Sequence, residues 1–404
     1  MNFFEPKIEE NSVWVVAINM GYGHQRTAYP LKGLARDKKI INANDYDGIP
    51  KQDANIWKYS KIFYQSIDYL PRQPIFSLRL IDYFISRGWG KHLIRQLDKT
   101  PLPLVTTFYL PAFMAETFHY SKDIYCIVAD VDVSRMWAPL RPEQSRIKYL
   151  VATHRVKEKL ISYGVKRENI FLTGYPLQAK ESSDLKFEFS QRLCNLDPSG
   201  IYHKQYDFLV DKYSDKKISV SNHPLSILFA ATKKGKAASF GGQMIKSLKQ
   251  QIVDGAVKIF ISVGTNVKLQ DYFLTHINLS GLSGQLGKNL EIIWSDNTDD
   301  YFAKFNSVLK TIDIIWSNPS ELCFYGGWGI PLILTPPSGI SEKINANWLI
   351  KSGLGLLQDN PKITNKWLFE FLNEGWLAEA AMKGYLEIPK DGLGKIKEII
   401  ALSK

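Results

Sequence analysis

An apolar run, Val13-Trp14-Val15-Val16-Ala17-Ile18, leads through Asn19 and Met20 into Gly21-Tyr22-Gly23-His24. Glycines at a strand-to-helix turn adopt dihedrals that other residues avoid, and they let a ligand come close to the backbone. A helix start just beyond such a turn offers N–H groups to an anion. Histidine titrates near neutrality, so His24 at this tip can act as a general base toward a hydroxyl. A turn histidine can equally be structural, and the motif alone does not decide between the two. Asp130 and Asp132 follow a second apolar run, within Ala129-Asp130-Val131-Asp132-Val133-Ser134-Arg135-Met136-Trp137. Their carboxylates can serve a site or cap the next element.

These residues need elements to carry them. Short continuous apolar runs recur at Val13 to Ile18, Pro103 to Phe108, Ile124 to Ala129, Lys148 to Ala152 and Ile170 to Gly174. Continuous rather than alternating runs mark strands buried on both faces of a parallel sheet, and helical patterns such as Arg155 to Tyr163 lie between them. The pattern lapses over Phe187 to Asn222. It resumes at Leu225 to Ala230, Val257 to Val263, Leu290 to Trp294, Ile312 to Trp316 and Pro331 to Thr335. The expected fold is α/β, with two doubly wound, Rossmann-like domains facing across a cleft. The expected boundaries are 1–186 for the first domain, 187–222 for a linker or inserted segment and 223–364 for the second domain. Residues 365–404 are expected to form helices packing back toward the first domain. Ligands of such sheets bind beyond the carboxyl ends of the strands, so the cleft is the expected site.

A chain of 404 residues exceeds what one core usually supports, which agrees with two domains. Three widely spaced cysteines, Cys126, Cys194 and Cys323, argue against a disulfide framework and a Cys-x-x-Cys metal site. The amino terminus lacks the basic-then-apolar pattern of a signal peptide, and no run approaches the roughly 18–20 apolar residues of a spanning helix. A cytoplasmic location is expected, with peripheral attachment to the inner face of the membrane left open. The net charge of +11 favours anionic partners or simply solubility. No zinc-knuckle, RNP or helix-turn-helix signature points to nucleic acid.

Between residues 57 and 95, Trp57, Tyr59, Phe63, Tyr64, Tyr69, Phe76, Tyr83, Phe84 and Trp89 are interleaved with seven Lys and Arg residues, Lys58 through Arg95. Such a stretch can lie on an anionic lipid surface. It can also be a core helix with a solvated cationic face.

The Gly21-Tyr22-Gly23-His24 turn resembles the glycine-rich loop of glycosyltransferase family 28, which has the GT-B fold. That family includes the peptidoglycan N-acetylglucosaminyltransferase and diacylglycerol glycosyltransferases, among them plant monogalactosyldiacylglycerol synthase. The resemblance places Gly21 and Gly23 on the acceptor side and makes His24 the base or acceptor-orienting group. Asp130 and Trp137 fall near the family's Thr-Asp…His…Trp strand end, with Arg135 standing where the lipid enzymes carry histidine. Gly164-Val165 and Gly174-Tyr175-Pro176 resemble the segment that closes the first domain. In lipid-acceptor members the region matching 57–95 helps engage the membrane.

In the second half, Gly264 and Asn266 match the Cys-Gly-Arg-Asn-x-x-Leu turn of the diacylglycerol enzymes. Ser317-Asn318-Pro319-Ser320-Glu321 through Gly329-Ile330-Pro331, then Glu342, Asn345 and Gly353-Leu354-Gly355, resemble the nucleotide-sugar signature. Its logic is a strand end and a helix start, here near Ser320, meeting a diphosphate, with carboxylate and amide groups beyond. Two departures stand out. The family's ribose-binding glutamate falls on Phe324, with Glu321 one turn earlier. The usual Gly-Gly-x-Gly loop is Ala231-Thr232-Lys233-Lys234-Gly235-Lys236, in which Lys233, Lys234 and Lys236 can meet a diphosphate by charge or be merely solvated.

The resemblance implies a hexosyltransferase that uses a nucleoside-diphosphate sugar, UDP being the expected form, and a hydroxyl acceptor that is expected to be lipid-linked. It implies no cofactor and no metal, and no nucleic-acid partner. A non-catalytic GT-B relative that binds nucleotide or lipid is the alternative, as is a GT-B nucleotide-sugar epimerase.

Overall fold

The computed structural model describes residues 12–67, 74–178, 180, 182–215, 223–231 and 235–402. The chain divides into two compact units. One comprises Met1–Ala179, Gly339–Ser341 and Pro389–Lys404, and the other Lys180–Ser338 and Glu342–Ile388.

The first unit is built on six strands, β1 (Val13–Ala17), β2 (Ala35–Asn42), β3 (Leu104–Thr106), β4 (Ile124–Val128), β5 (Lys148–Val151) and β6 (Ile170–Leu172). They pair in the order β2-β1-β3-β4-β5-β6, and every pairing is parallel. Five of these strands coincide with the apolar runs. β2 does not, because it lies at the edge and its sequence, Ala-Arg-Asp-Lys-Lys-Ile-Ile-Asn, is mostly exposed or half-buried. Its register against β1 shifts between Val13 and Val15, beside Asp37 and Lys38, which both have positive φ. Such an irregularity suits an edge strand.

The second unit has β7 (Leu225–Ala230), β8 (Val257–Gly264), β9 (Leu290–Trp294), β10 (Ile314–Ser317), β11 (Leu332–Leu334) and β12 (Gly355–Leu357). Their order is β12-β11-β10-β7-β8-β9, again wholly parallel. Read from β9, this is the dinucleotide-fold order 3-2-1-4-5-6. The apolar runs do not announce β12; three residues at a sheet edge leave no pattern to read. Two Rossmann-like α/β domains of this kind are the GT-B type.

The stretch expected as a linker or inserted segment, 187–222, is helical over most of its described residues. Ser182–Leu196, Ile201–Gln205 and Asp207–Tyr213 are helices, and Phe189, Leu193, Leu196, Tyr202 and Val210 enter the second core. The 189/193/196 spacing is one helical face, so this segment belongs to the second unit by burial. The tail also differs from expectation. Thr364–Asn373 and Trp376–Glu387 pack into the second core through Trp367, Leu368, Leu377 and Ala381. Only the last helix, Gly392–Ala401, joins the first unit, where Leu393, Ile396 and Ile400 pack with Val13, Val15 and Ala17.

Candidate functional site

In each sheet the chain reverses its direction of strand addition at one point, between β1 and β3 in the first and between β7 and β10 in the second. Loops leaving neighbouring strands there turn to opposite faces and open a crevice beyond the carboxyl ends. His24 lies at the first of these places, and Gly235 and Ser320 lie at the second, after β7 and β10.

In the first unit Gly21, with φ 117°, turns the chain out of β1 into the short helix Tyr22–Ala28. A Cβ there would meet no atom within 4 Å, so glycine is required by the dihedral, not by space. Thr27 Oγ1 donates to Gly23 O at 2.8 Å. His24 leans across the switch point. Its Nδ1 lies 2.8 Å from Thr107 O, just past β3, and Thr107 Oγ1 donates back to His24 O at 3.0 Å. The Phe108 ring meets the imidazole edge-on at 4.9 Å. Asn44 braces the loop from the β2 side, accepting from Asn19 N at 2.7 Å and donating to Asn19 O at 3.3 Å. Sequence reasoning misses Thr107 and Asn44, although Thr107 does stand where a polar residue ends an apolar run.

The other acceptor-side residues separate. Asp130 follows β4 and is half-buried. Asp132 is a structural anchor: it accepts from Val133 N at 2.7 Å and pairs with Arg155 at 2.8 Å and Lys159 at 2.7 Å. Arg135 folds onto its own loop, donating to Ala138 O and, at 2.9 Å, to Pro139 O, and burial pushes its guanidinium pKa down. Trp137 is 7% exposed and sits among Phe108 and Tyr109, with centroids 5.9 and 5.3 Å away. It backs the aromatic wall behind His24.

At the second switch point, Gly235 (φ 135°) opens helix Lys236–Ser247 after β7. Lys233 and Lys234 lie outside the described residues, whereas Lys236 is exposed. Gly264, with φ 68°, ends β8, and the Asn266 side chain caps the next helix by accepting from Leu269 N at 3.1 Å. Ser320 precedes a 3-10 helix, Glu321–Trp328, rather than an α-helix. Three residues per turn put Glu321 and Phe324 on one face. Phe324 is 2% exposed, with Trp348 at 6.3 Å, so it is core; Glu321 at the open end is half-buried. The 3-10 helix is held tightly. A Cβ on Gly384 would lie 2.5 Å from Gly326 O, and one on Gly329 (φ 71°) 2.2 Å from the Phe189 ring.

Glu342 bridges two strand ends. It accepts from Asn318 Nδ2 at 3.0 Å, and from Ser338 N at 2.7 Å and Ser338 Oγ at 2.9 Å. Asn345 Nδ2 donates to Pro319 O at 3.4 Å. The sequence marks both as ligand groups, and their observed bonds organise the loops after β10 and β11. Asn318 and Ser338 carry no sequence signal for that role.

Two cavities lie elsewhere. One of about 420 Å³ in the first unit is lined by Ile81, Ile85, Phe113, Glu116, Arg141 and Gln144, on the side where β5 begins. One of about 360 Å³ in the second unit includes Arg192, His223, Lys258 and Asp313 at the amino ends of β7, β8 and β10. Neither coincides with a switch point. Among the described residues no cluster of three His, Cys, Asp or Glu is arranged to hold a metal ion.

The aromatic and basic segment divides between its two readings. Trp57 and Trp89 are buried and meet edge to face at 4.9 Å. Tyr59, Phe76 and Tyr83 are exposed, at 70%, 63% and 51%. The side chains of Lys61, Phe63, Tyr64, Tyr69 and Arg72 lie outside the described residues.

No protein-family profile matches the chain. It is 23% identical over 307 residues to the processive diacylglycerol beta-glucosyltransferase of Bacillus subtilis (strain 168), covering 74% of this chain and 67% of that one. Similar solved structures include MurG of Acinetobacter baumannii, at 12% identity, TM-score 0.48 and 96% and 98% coverage. The UDP-GlcNAc 2-epimerase of Neisseria meningitidis bound to UDP-GlcNAc has 12% identity, TM-score 0.48 and 78% and 80% coverage. Structural likeness at that level leaves the fold assignment to the two sheets themselves. The chain is a GT-B protein. Within that class it resembles glycosyltransferase family 28.

Proposed function

We propose that this chain is a hexosyltransferase that moves a sugar from a UDP-sugar to a hydroxyl group on a lipid-linked acceptor, without a metal ion. The observation that carries the proposal is His24, seated at the first sheet's switch point with its ring fixed by Thr107. In this reading His24 takes the acceptor proton as the new glycosidic bond forms. The departing diphosphate gathers charge, which backbone N–H groups near Ser320 and the cationic loop of Lys233, Lys234 and Lys236 would offset. Gly264, Asn266, Glu321, Glu342 and Asn345 shape the donor side. The relative from Bacillus subtilis, by its name, glucosylates diacylglycerol, which supports a lipid acceptor here.

The experiment offers UDP-, GDP- and dTDP-sugars with membrane lipid extract and follows release of nucleoside diphosphate. Release that requires lipid and is lost in His24→Ala is expected. Tight nucleotide binding without turnover under any acceptor would sink the transferase reading in favour of a non-catalytic binder. Release without lipid, with loss of anomeric configuration, would mean epimerase action on the nucleotide sugar itself.

A peripheral position on the cytoplasmic face of the membrane belongs to the same reading. Among the described residues no helix is long and apolar enough to cross a membrane. Exposed Tyr59, Ile75, Phe76 and Tyr83, with Arg87 5.3 Å over the Tyr83 ring, offer apolar and cationic groups to an anionic surface. Binding to vesicles rich in anionic lipid should weaken with added salt and with Arg79→Glu or Arg87→Glu. Binding indifferent to both would return the segment to a purely structural role.

A further inference from the structure

We propose that Thr107 is the positioning residue of His24: it holds the neutral imidazole as the Nδ1–H tautomer and so makes Nε2 the atom that meets the acceptor hydroxyl. This rests on the transferase reading for its purpose, though not for its geometry. A carbonyl oxygen can only accept, so the 2.8 Å contact between His24 Nδ1 and Thr107 O requires the proton on Nδ1. The basic lone pair of the neutral ring is then on Nε2. The partner bond set by one ring nitrogen commonly decides the chemistry of the other.

Three features make the contact a built one. Thr107 Oγ1 donates to His24 O at 3.0 Å, so the two residues exchange hydrogen bonds and neither can shift alone. Thr107 N donates to Val16 O at 3.1 Å, which continues the β1–β3 ladder one step beyond the strands and makes Thr107 part of the rigid sheet. Phe108, the next residue, closes on the ring edge, and Asn44 clamps Asn19 from the other side. A backbone carbonyl anchored in the sheet thereby does the orienting that a carboxylate does in many histidine bases. The hydroxyl of Thr107 is the part of this arrangement that a substitution can remove while keeping the carbonyl.

The test uses the full chain labelled with ¹⁵N-histidine. Seven histidines are present, and His24→Ala identifies the signal of His24. With the ring neutral, the expected spectrum is that of the Nδ1–H tautomer, the form that free imidazole disfavours. In Thr107→Val the carbonyl stays and the ring should keep its tautomer, but the His24 backbone is no longer tied by the hydroxyl, so the rate of nucleotide release should fall about tenfold through kcat, with donor KM little changed. Thr107→Ser, which restores the hydroxyl, should recover most of that loss. A wild-type ring in the Nε2–H form, or equal behaviour of the Val and Ser variants, overturns the assignment. If no sugar is transferred under any condition, the transferase reading fails, while the ring spectrum still decides the role of Thr107.

Discussion

Changing Glu342 to glutamine tests whether the donor loops are organised by one carboxylate. Both oxygens of Glu342 accept hydrogen bonds, one from Asn318 Nδ2 at 3.0 Å and the other from Ser338 N and Oγ at 2.7 and 2.9 Å. A glutamine of the same shape has one accepting oxygen and one N–H₂ group. With its oxygen kept on Ser338, its N–H₂ meets the Asn318 N–H₂, donor against donor in the amide orientation Asn318 has here. Stranding a buried donor costs about 1–3 kcal/mol, and this half-exposed site belongs at the lower end, ~1 kcal/mol. That is roughly a fivefold change in an equilibrium constant, or a shift of roughly 0.3–1 M in a urea midpoint. Because the clamp sets the loops after β10 and β11, UDP affinity should fall by a similar factor. The pairing can be inverted. When Asn318→Asp is combined with Glu342→Gln, the glutamine N–H₂ donates to the carboxylate introduced at position 318. Its oxygen accepts from Ser338, so all the partners are satisfied again. Urea unfolding and calorimetric titration with UDP would compare the wild type, both single variants and the pair. A double variant no better than Glu342→Gln alone, or a single variant within about 0.3 kcal/mol of wild type, refutes the clamp.

Further expectations concern the frame. Burial pushes the Asp313 carboxyl up to about 6, against opposing contributions from His223, the Ser226 N–H, Arg192 and Asn195. A folded-state pKa above the ordinary value favours the fold at low pH, and that advantage is lost as pH rises from about 4 to about 6. Asp313→Asn should therefore flatten the fall. Parallel urea midpoints for the two proteins between about pH 4.5 and 7 would contradict it. Gly329→Ala places a Cβ against Phe189 at a left-handed position, and a loss of about 3 kcal/mol in the second unit is expected by thermal melting. Ile396→Ala, at a fully buried position, should cost about 2–5 kcal/mol and lower the unfolding midpoint of the first unit selectively.

Strands such as β1, β4, β7 and β8 are legible in the sequence because burial on both faces demands continuous apolar runs. β2 and β12 are not, since edge strands have little to bury. Residues 187–222 read as a linker or inserted segment, without a definite place in either core, because interleaved charge hides the stripe of Phe189, Leu193 and Leu196 when strands are sought. At the site, residue types are legible but their partners are not. His24 and Thr107 are 83 residues apart, and only the strand order brings them together. Glu342 lies near the strand ends, yet its carboxylate faces Asn318 and Ser338, a distinction that depends on side-chain direction. Arg135 likewise turns to two carbonyls three and four residues ahead, which a position-by-position match cannot reveal.

The helix Gly392–Ala401 has a consequence for how the molecule is made. Its Ile396 and Ile400 complete a core whose other members include Val13 and Val15, hundreds of residues earlier. Close fitting of Gly392 against the Tyr175 carbonyl, where a Cβ would lie 2.0 Å from the oxygen, leaves no room for a substitute. During synthesis the second unit has all its residues, through Ile388, before the first has its last helix. The domain translated first is thus the one finished last, and until that helix emerges its Val13–Ala17 strand lacks part of the cover on one face. Ribosome-stalled chains with only residues up to Ile388 outside the exit tunnel should accordingly be protease-sensitive in their amino-terminal half and resistant in the carboxy-terminal one.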